Sequence, residues 1–136
     1  MDNLLHSEIT GEIIKAFYKV YNTLGYGFLE KIYENALVFG LETRGFQVQT
    51  QLPIKVHYNG REVGEYFADV IVENIVIIEI KTANTIDKAH ESQLLNYLKA
   101  TEIEVGLILN FGQKPEYRRK VFANQKKNLI RNLLDN

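Results

Sequence analysis

Three charged residues stand where an apolar strand would ordinarily exclude them. Asp69 opens one β-branched run, Asp69-Val70-Ile71-Val72, and Glu79 and Lys81 close another, Ile75-Val76-Ile77-Ile78-Glu79-Ile80-Lys81. A charge at the end of such a strand is costly unless it is paired or bound to a metal. Alternation puts Glu79 and Lys81 on one face of the second run and Ile78 and Ile80 on the other. Taken alone, that acid-x-base triplet fits a surface ion pair equally well. Asp69 tips the balance if the turn brings it beside Glu79. A two-residue turn at Glu73-Asn74 would pair Asp69 with Ile78 and send Glu79 to the other face. A three-residue loop centred on Asn74, or a single bulge, pairs Asp69 with Glu79 instead. Asn tolerates the left-handed backbone such a loop needs, so the odd-length connection is expected. Two carboxylates about 4 Å apart repel by roughly 1 to 4 kcal/mol. A fold that holds them together therefore implies a cation or a proton. Their oxygens, the Ile80 carbonyl and waters suit Mg²⁺ or Mn²⁺. Lys81 would then orient or deprotonate a water at that metal.

The elements that must position these residues follow from periodicity. Ile9, Ile13, Phe17, Val20 and Leu24 predict a helix over about 7–24, with Ser7 or Thr10 as its cap. Gly25-Tyr26-Gly27 breaks it. A second helix over about 29–44 would turn Leu29, Ile32, Tyr33, Ala36, Leu37, Gly40 and Leu41 inward. Strands are expected at 46–51 and 54–58, with Pro53 marking an edge or bend. Asn59-Gly60 is a hairpin signal, and the chain returns from Glu62 toward Asp69. After Lys81, Thr85 is a candidate cap for a third helix over about 86–100. The apolar run 105–111 reads as a central strand, parallel to 75–81 through a crossover. Arg118–Ala123 reads as an edge strand. The tail 124–136, with Leu129, Ile130, Leu133 and Leu134, is expected to be mobile or helical.

Composition sets bounds. The 136 residues are 46% hydrophobic and 24% charged, enough for one domain, here 1–123, with its own core. No cysteine is present, which excludes disulfides and thiolate metal sites. The first residues lack the basic and apolar regions of a signal peptide, and no apolar run would span a bilayer, so a cytoplasmic protein without a membrane partner is expected. A net charge of −1 means that any nucleic-acid contact relies on a local patch.

Other candidates carry weaker signals. Glu30 at the start of the second helix suits the helix dipole as readily as a site. His90, Gln93 and Tyr97 share one stripe of the third helix, which fits a solvated edge as well as a site lining. The histidines at 6, 57 and 90 have no zinc-ligand spacing. Neither a phosphate-cradling glycine loop nor a Ser-His-Asp set can be argued. Tyr26, Lys31, Lys55, Arg61, Lys88, Arg118, Arg119 and Lys120 are candidate backbone contacts, with Lys31, Arg118 and Arg119 foremost.

Asp69, then Glu79-Ile80-Lys81, then Gln93-Leu94-Leu95-Asn96-Tyr97 resembles the PD-(D/E)XK nuclease superfamily. More narrowly, Gly27-Phe28-Leu29-Glu30-Lys31-Ile32-Tyr33 and His90–Leu98 resemble the bacterial GxxExxY proteins, over roughly residues 7–123. The Pro that precedes the acid in the family is Ala68 here. The resemblance implies a restriction-endonuclease-like αβββαβ core, a mixed sheet flanked by helices and preceded by a helical hairpin. In it Asp69 and Glu79 bind the divalent metal, Glu30 completes the acidic cluster, Lys81 acts on the water, and Gln93 and Tyr97 line the site. The expected activity is metal-dependent hydrolysis of phosphodiester bonds in nucleic acid, DNA ahead of RNA. A homodimer is also expected, since two-strand cutting needs two sites and the leucine-bearing tail offers a contact. The rival readings are a nuclease-fold binding module without turnover and a structural oligomer whose charges form ion pairs.

Overall fold

Two helices open the chain, α1 (Ser7–Leu24) and α2 (Glu30–Thr43), followed by strands β1 (Val48–Tyr58), β2 (Arg61–Val72) and β3 (Val76–Lys81). Helix α3 (Lys88–Lys99), strands β4 (Val105–Phe111) and β5 (Pro115–Val121), and helix α4 (Asn124–Asp135) complete it. The computed structural model describes residues 5–135, with side chains through Leu129. The side chains of Ile130, Leu133 and Leu134, expected to mark a dimer contact, lie outside the described residues, as do residues 1–4 and 136.

The five strands lie in sequence order, β1-β2-β3-β4-β5. All neighbours are antiparallel except β3 and β4, which run parallel across the α3 crossover. The order α2-β1-β2-β3-α3-β4 is the expected αβββαβ core. Among the described residues no helix is long and apolar enough to cross a membrane.

Several boundaries differ from the sequence reading. No side chain caps α1; His6 takes the left-handed position before it, with φ 55, and the Thr10 hydroxyl bonds back to the His6 and Ser7 carbonyls. Helix α3 starts two residues later than expected. Its cap is Asp87 rather than Thr85, in a reciprocal box with His90, because only Asp87 places its carboxylate on the His90 N–H, at 3.0 Å. Helix α2 buries Tyr33, Glu34, Leu37 and Leu41. Leu29 and Ile32, expected inside, are exposed. The segments on either side of Pro53 form one edge strand, which a proline tolerates. Asn59 and Gly60 take φ 51 and φ 77, as the tight hairpin turn requires.

Each face of the sheet has its own core. Helices α1 and α2 cover Val70, Val72, Val76, Ile78, Ile80, Val105, Leu107 and Leu109. Helix α3 covers Ala68, Ile71, Ile77 and Ile108 with Leu94 and Leu98. A Cβ on Gly106 would lie 2.7 Å from the Leu94 side chain, so a glycine there lets α3 sit low on β4.

Strands β1 and β2 change faces partway along. Val48 faces α1 and α2, but Leu52 and Ile54 face α3; Val70 and Val72 face α1 and α2, but Tyr66 and Ala68 face α3. A strict two-residue period forbids this. The change falls at Gln51, whose left-handed φ of 51 interrupts the pleat opposite Asp69.

Candidate active site

Register decides the site. The β2–β3 ladder pairs Val72 with Val76, Ile71 with Ile77 and Val70 with Ile78. Glu73, Asn74 and Ile75 therefore form a three-residue loop. Its first two residues are left-handed, with φ 54 and 55, and the Ile75 N–H donates to the Val72 carbonyl at 2.9 Å. Continued by one step, this register sets Asp69 opposite Glu79. Ladder pairing stops there, and the strands part. In place of the lost backbone bond, the Ile80 N–H donates to Asp69 Oδ2 at 2.9 Å. A strand residue's N–H and C=O point to the same side, so the Ile80 carbonyl also faces the gap.

Glu79 is 7% exposed and its Oε1 has no hydrogen-bond partner. Burial first, and the Asp69 carboxylate second, push its pKa from 4.5 to about 9, against the downward pull of the Lys81 ammonium. Two carboxylates, one of them with an orphaned oxygen, and a carbonyl facing one gap form an incomplete set of hard oxygen donors. Mg²⁺ is commonly held by one or two carboxylates with waters filling the remaining positions, so the residues present fit such an ion.

Aromatic side chains roof the site. Tyr66 on β2 stacks on Tyr97 of α3, with ring centroids 3.6 Å apart and planes 16° from parallel. The buried Tyr66 hydroxyl has no partner. Burial raises its pKa, and Tyr97 and Glu79 raise it further. Burial and then the Glu79 and Asp69 charges push Tyr97 up to about 12, against a smaller opposing effect of Gln93. Gln93 and Tyr97 thus stand on the side of the sheet that carries the acidic pair. Sequence reasoning missed Tyr66, because strict alternation puts it on the opposite face from Asp69.

Glu30 does not join the pair. Among the described residues no three carboxylate or imidazole groups gather closely enough to hold a metal ion. The physical reason is layering: α2 packs on the opposite face of the sheet, and its exposed first turn directs Tyr33, not Glu30, into the fold. The Tyr33 ring stacks on Phe111 at 4.3 Å, and its hydroxyl donates to the Gly25 carbonyl at 2.6 Å. The tyrosine of the Gly27–Tyr33 segment is therefore a core residue.

The basic candidates do not share a face. Lys31 pairs with Glu34 at 2.6 Å. Arg118 lies 3.8 Å from Glu116, and Lys120 lies 2.6 Å from Glu91 of α3. Arg119 pairs in register with Leu107, on the α1–α2 face, and its guanidinium donates to the Leu5 carbonyl. That placement removes Arg119 from any surface shared with Asp69 and Glu79.

Asn110 was also missed. It is fully buried beside Lys81 in the β3–β4 register. Its side-chain amide bonds both the N–H and the carbonyl of Ala83 at 2.9 Å, fixing the loop that leaves Lys81. A polar residue inside the apolar run 105–111 was the available signal.

A sequence profile described as the PD-(D/E)XK nuclease superfamily matches residues 7–120. No curated protein matches the chain. Among solved structures, the crystal structure of SSO0001 aligns with a TM-score of 0.54 at 19% identity, over 77% of this chain and 55% of that one. The chain thus spans about half of that protein, and the likeness is one of fold.

Proposed function

The chain belongs to the PD-(D/E)XK nuclease superfamily, and from that membership we propose that it hydrolyses phosphodiester bonds in nucleic acid with Mg²⁺ or Mn²⁺. The observation that carries the reading is the Asp69–Glu79 register, with a buried, unpartnered Glu79 oxygen beside Lys81. Asp69, Glu79 and the Ile80 carbonyl would hold the ion. When bound, it would neutralise charge on the phosphate and lower the pKa of a coordinated water.

The chain's own groups do the rest. Asp69 ties β3 to β2 through the Ile80 N–H, which fixes the carbonyl direction and the Glu79 side chain together. Lys81, on the face of Glu79, would orient the attacking water as an ammonium, or take its proton as the neutral amine and pass it to the leaving oxygen. That water's oxygen bonds to phosphorus as the ester oxygen leaves. Tyr97 and Gln93 would line the substrate side. The resemblance of Gly27–Tyr33 and His90–Leu98 to GxxExxY proteins supports a narrower place within the superfamily. DNA ahead of RNA, and a homodimer for cutting two strands, belong to the same reading.

The test is a panel of labelled single- and double-stranded DNA and RNA, incubated with Mg²⁺ or Mn²⁺, with wild type beside Lys81→Ala and Asp69→Asn. Metal-dependent cleavage by wild type alone supports the mechanism. Cleavage retained in either variant removes it.

A further inference from the structure

We propose that the groove between the β1–β2 arm and α3 is a binding track for single-stranded nucleic acid leading to the Asp69–Glu79 site. This deepens the nuclease reading and rests on it. Beyond Ile54 the two strands leave the body of the sheet as a largely exposed ribbon, bent where Val63 interrupts the register between Val56 and His57. Between this ribbon and α3 lies a groove of about 650 Å³, lined in part by Lys55, His57, Tyr66, Asn96, Tyr97 and Lys99.

Among the described residues that line it are two lysines and a histidine; on the ribbon, Glu62 lies 3.4 Å from Lys55, and Glu65 is the register partner of Lys55. In a chain of net charge −1, Lys55 and Lys99 are the cations that a polyanion would engage here, at Lys55 by displacing Glu62. The existing partners of the lysines are weak. Lys55 faces Glu62 at 3.4 Å with both side chains about half exposed, and Lys99 lies 5.6 Å over the Phe122 ring. A phosphate can replace the exposed ion pair at little cost.

The inner wall is the Tyr66–Tyr97 stack, which also stands over the acidic pair. Two residues, Phe67 and Ala68, lie between Tyr66 and Asp69, which puts the two roughly 10 Å apart along β2. A polymer lying in the groove would thus pass from lysines to aromatic rings to carboxylates. Lysines for the backbone and rings for bases are how single strands are held.

The test is fluorescence anisotropy of the full chain without added divalent ion. The probes are a labelled oligothymidylate of roughly 15 nucleotides and a duplex of equal length. The expected result is tighter binding of the single strand, weakened about tenfold or more in Lys55→Ala/Lys99→Ala. The slope of log affinity against log salt should fall by about 1.4, for two lost phosphate contacts. Lys55→Arg/Lys99→Arg should restore binding. Equal affinity in the alanine double variant, or equal binding of the duplex, overturns the track. The two readings fail separately. Mn²⁺-dependent cleavage with KM unchanged in the double variant leaves a nuclease without this track. Single-strand binding through the lysines, with no cleavage of any substrate, leaves the track without the nuclease.

Discussion

The two faces of the sheet each hold a buried glutamate and stacked aromatic rings, with opposite outcomes. On the α1–α2 face, Glu34 is 4% exposed and fully engaged, by Lys31 at 2.6 Å and Gln51 at 3.0 Å. The Tyr33 hydroxyl there has both an acceptor and a donor. On the α3 face, Glu79 Oε1 and the Tyr66 hydroxyl have neither. Unpaired buried polar atoms are expensive, and a fold that satisfies one face so thoroughly could satisfy the other. The difference falls at the proposed metal site, where polar atoms are left without partners. The α1–α2 face satisfies its buried glutamate internally, and the α3 face keeps an unpartnered Glu79 oxygen where the proposed ion would sit.

Substitutions should break the two faces in different ways. Tyr33→Ala removes a fully buried ring and should cost about 3–5 kcal/mol of stability in urea or guanidinium unfolding; a loss below about 1 kcal/mol would contradict its assignment to the core. Lys81→Ala should slow metal-dependent cleavage about 100-fold or more, or about 2.7 kcal/mol in the barrier, with an unchanged melting curve. An equal loss of stability and activity would make Lys81 structural.

The third expectation concerns pH. Glu79 ionises near 4.5 when unfolded and near 9 in the metal-free fold. Between those values the unfolded chain binds fewer protons, so stability falls as pH rises, by at most about 1.4 kcal/mol per pH unit. Chemical unfolding from pH 5 to about 9 should show this slope, and Glu79→Gln should flatten it. The fourth and smallest effect is the cation's own. Mn²⁺ should bind more tightly as pH rises, release protons, and raise the melting temperature of wild type but not of Asp69→Asn. Titration calorimetry at two pH values reads both. Absence of Mn²⁺ binding in wild type would favour the charged cluster as a plain structural feature.

Much of this was legible along the chain. The charged ends of two apolar runs marked Asp69, Glu79 and Lys81, and the parity of the Glu73–Ile75 loop was deducible from the requirement that the acids share a face. What misled was assuming strict alternation and a wide helix face. Alternation hid Tyr66, because the left-handed Gln51 switches the faces of β1 and β2. The stripe on α2 admitted Leu29 and Ile32, which the structure leaves in solvent.

Local chemistry therefore determined the elements, the hairpin register and the acidic pair, since turn type and periodicity are properties of neighbouring residues. Tertiary structure decided which layer each helix joined. That assignment separates Glu30 and Arg119 from the acidic pair and sets Tyr97 over it. No periodicity carries this information, because the side of the sheet on which a helix packs is fixed by connections and burial across the whole fold.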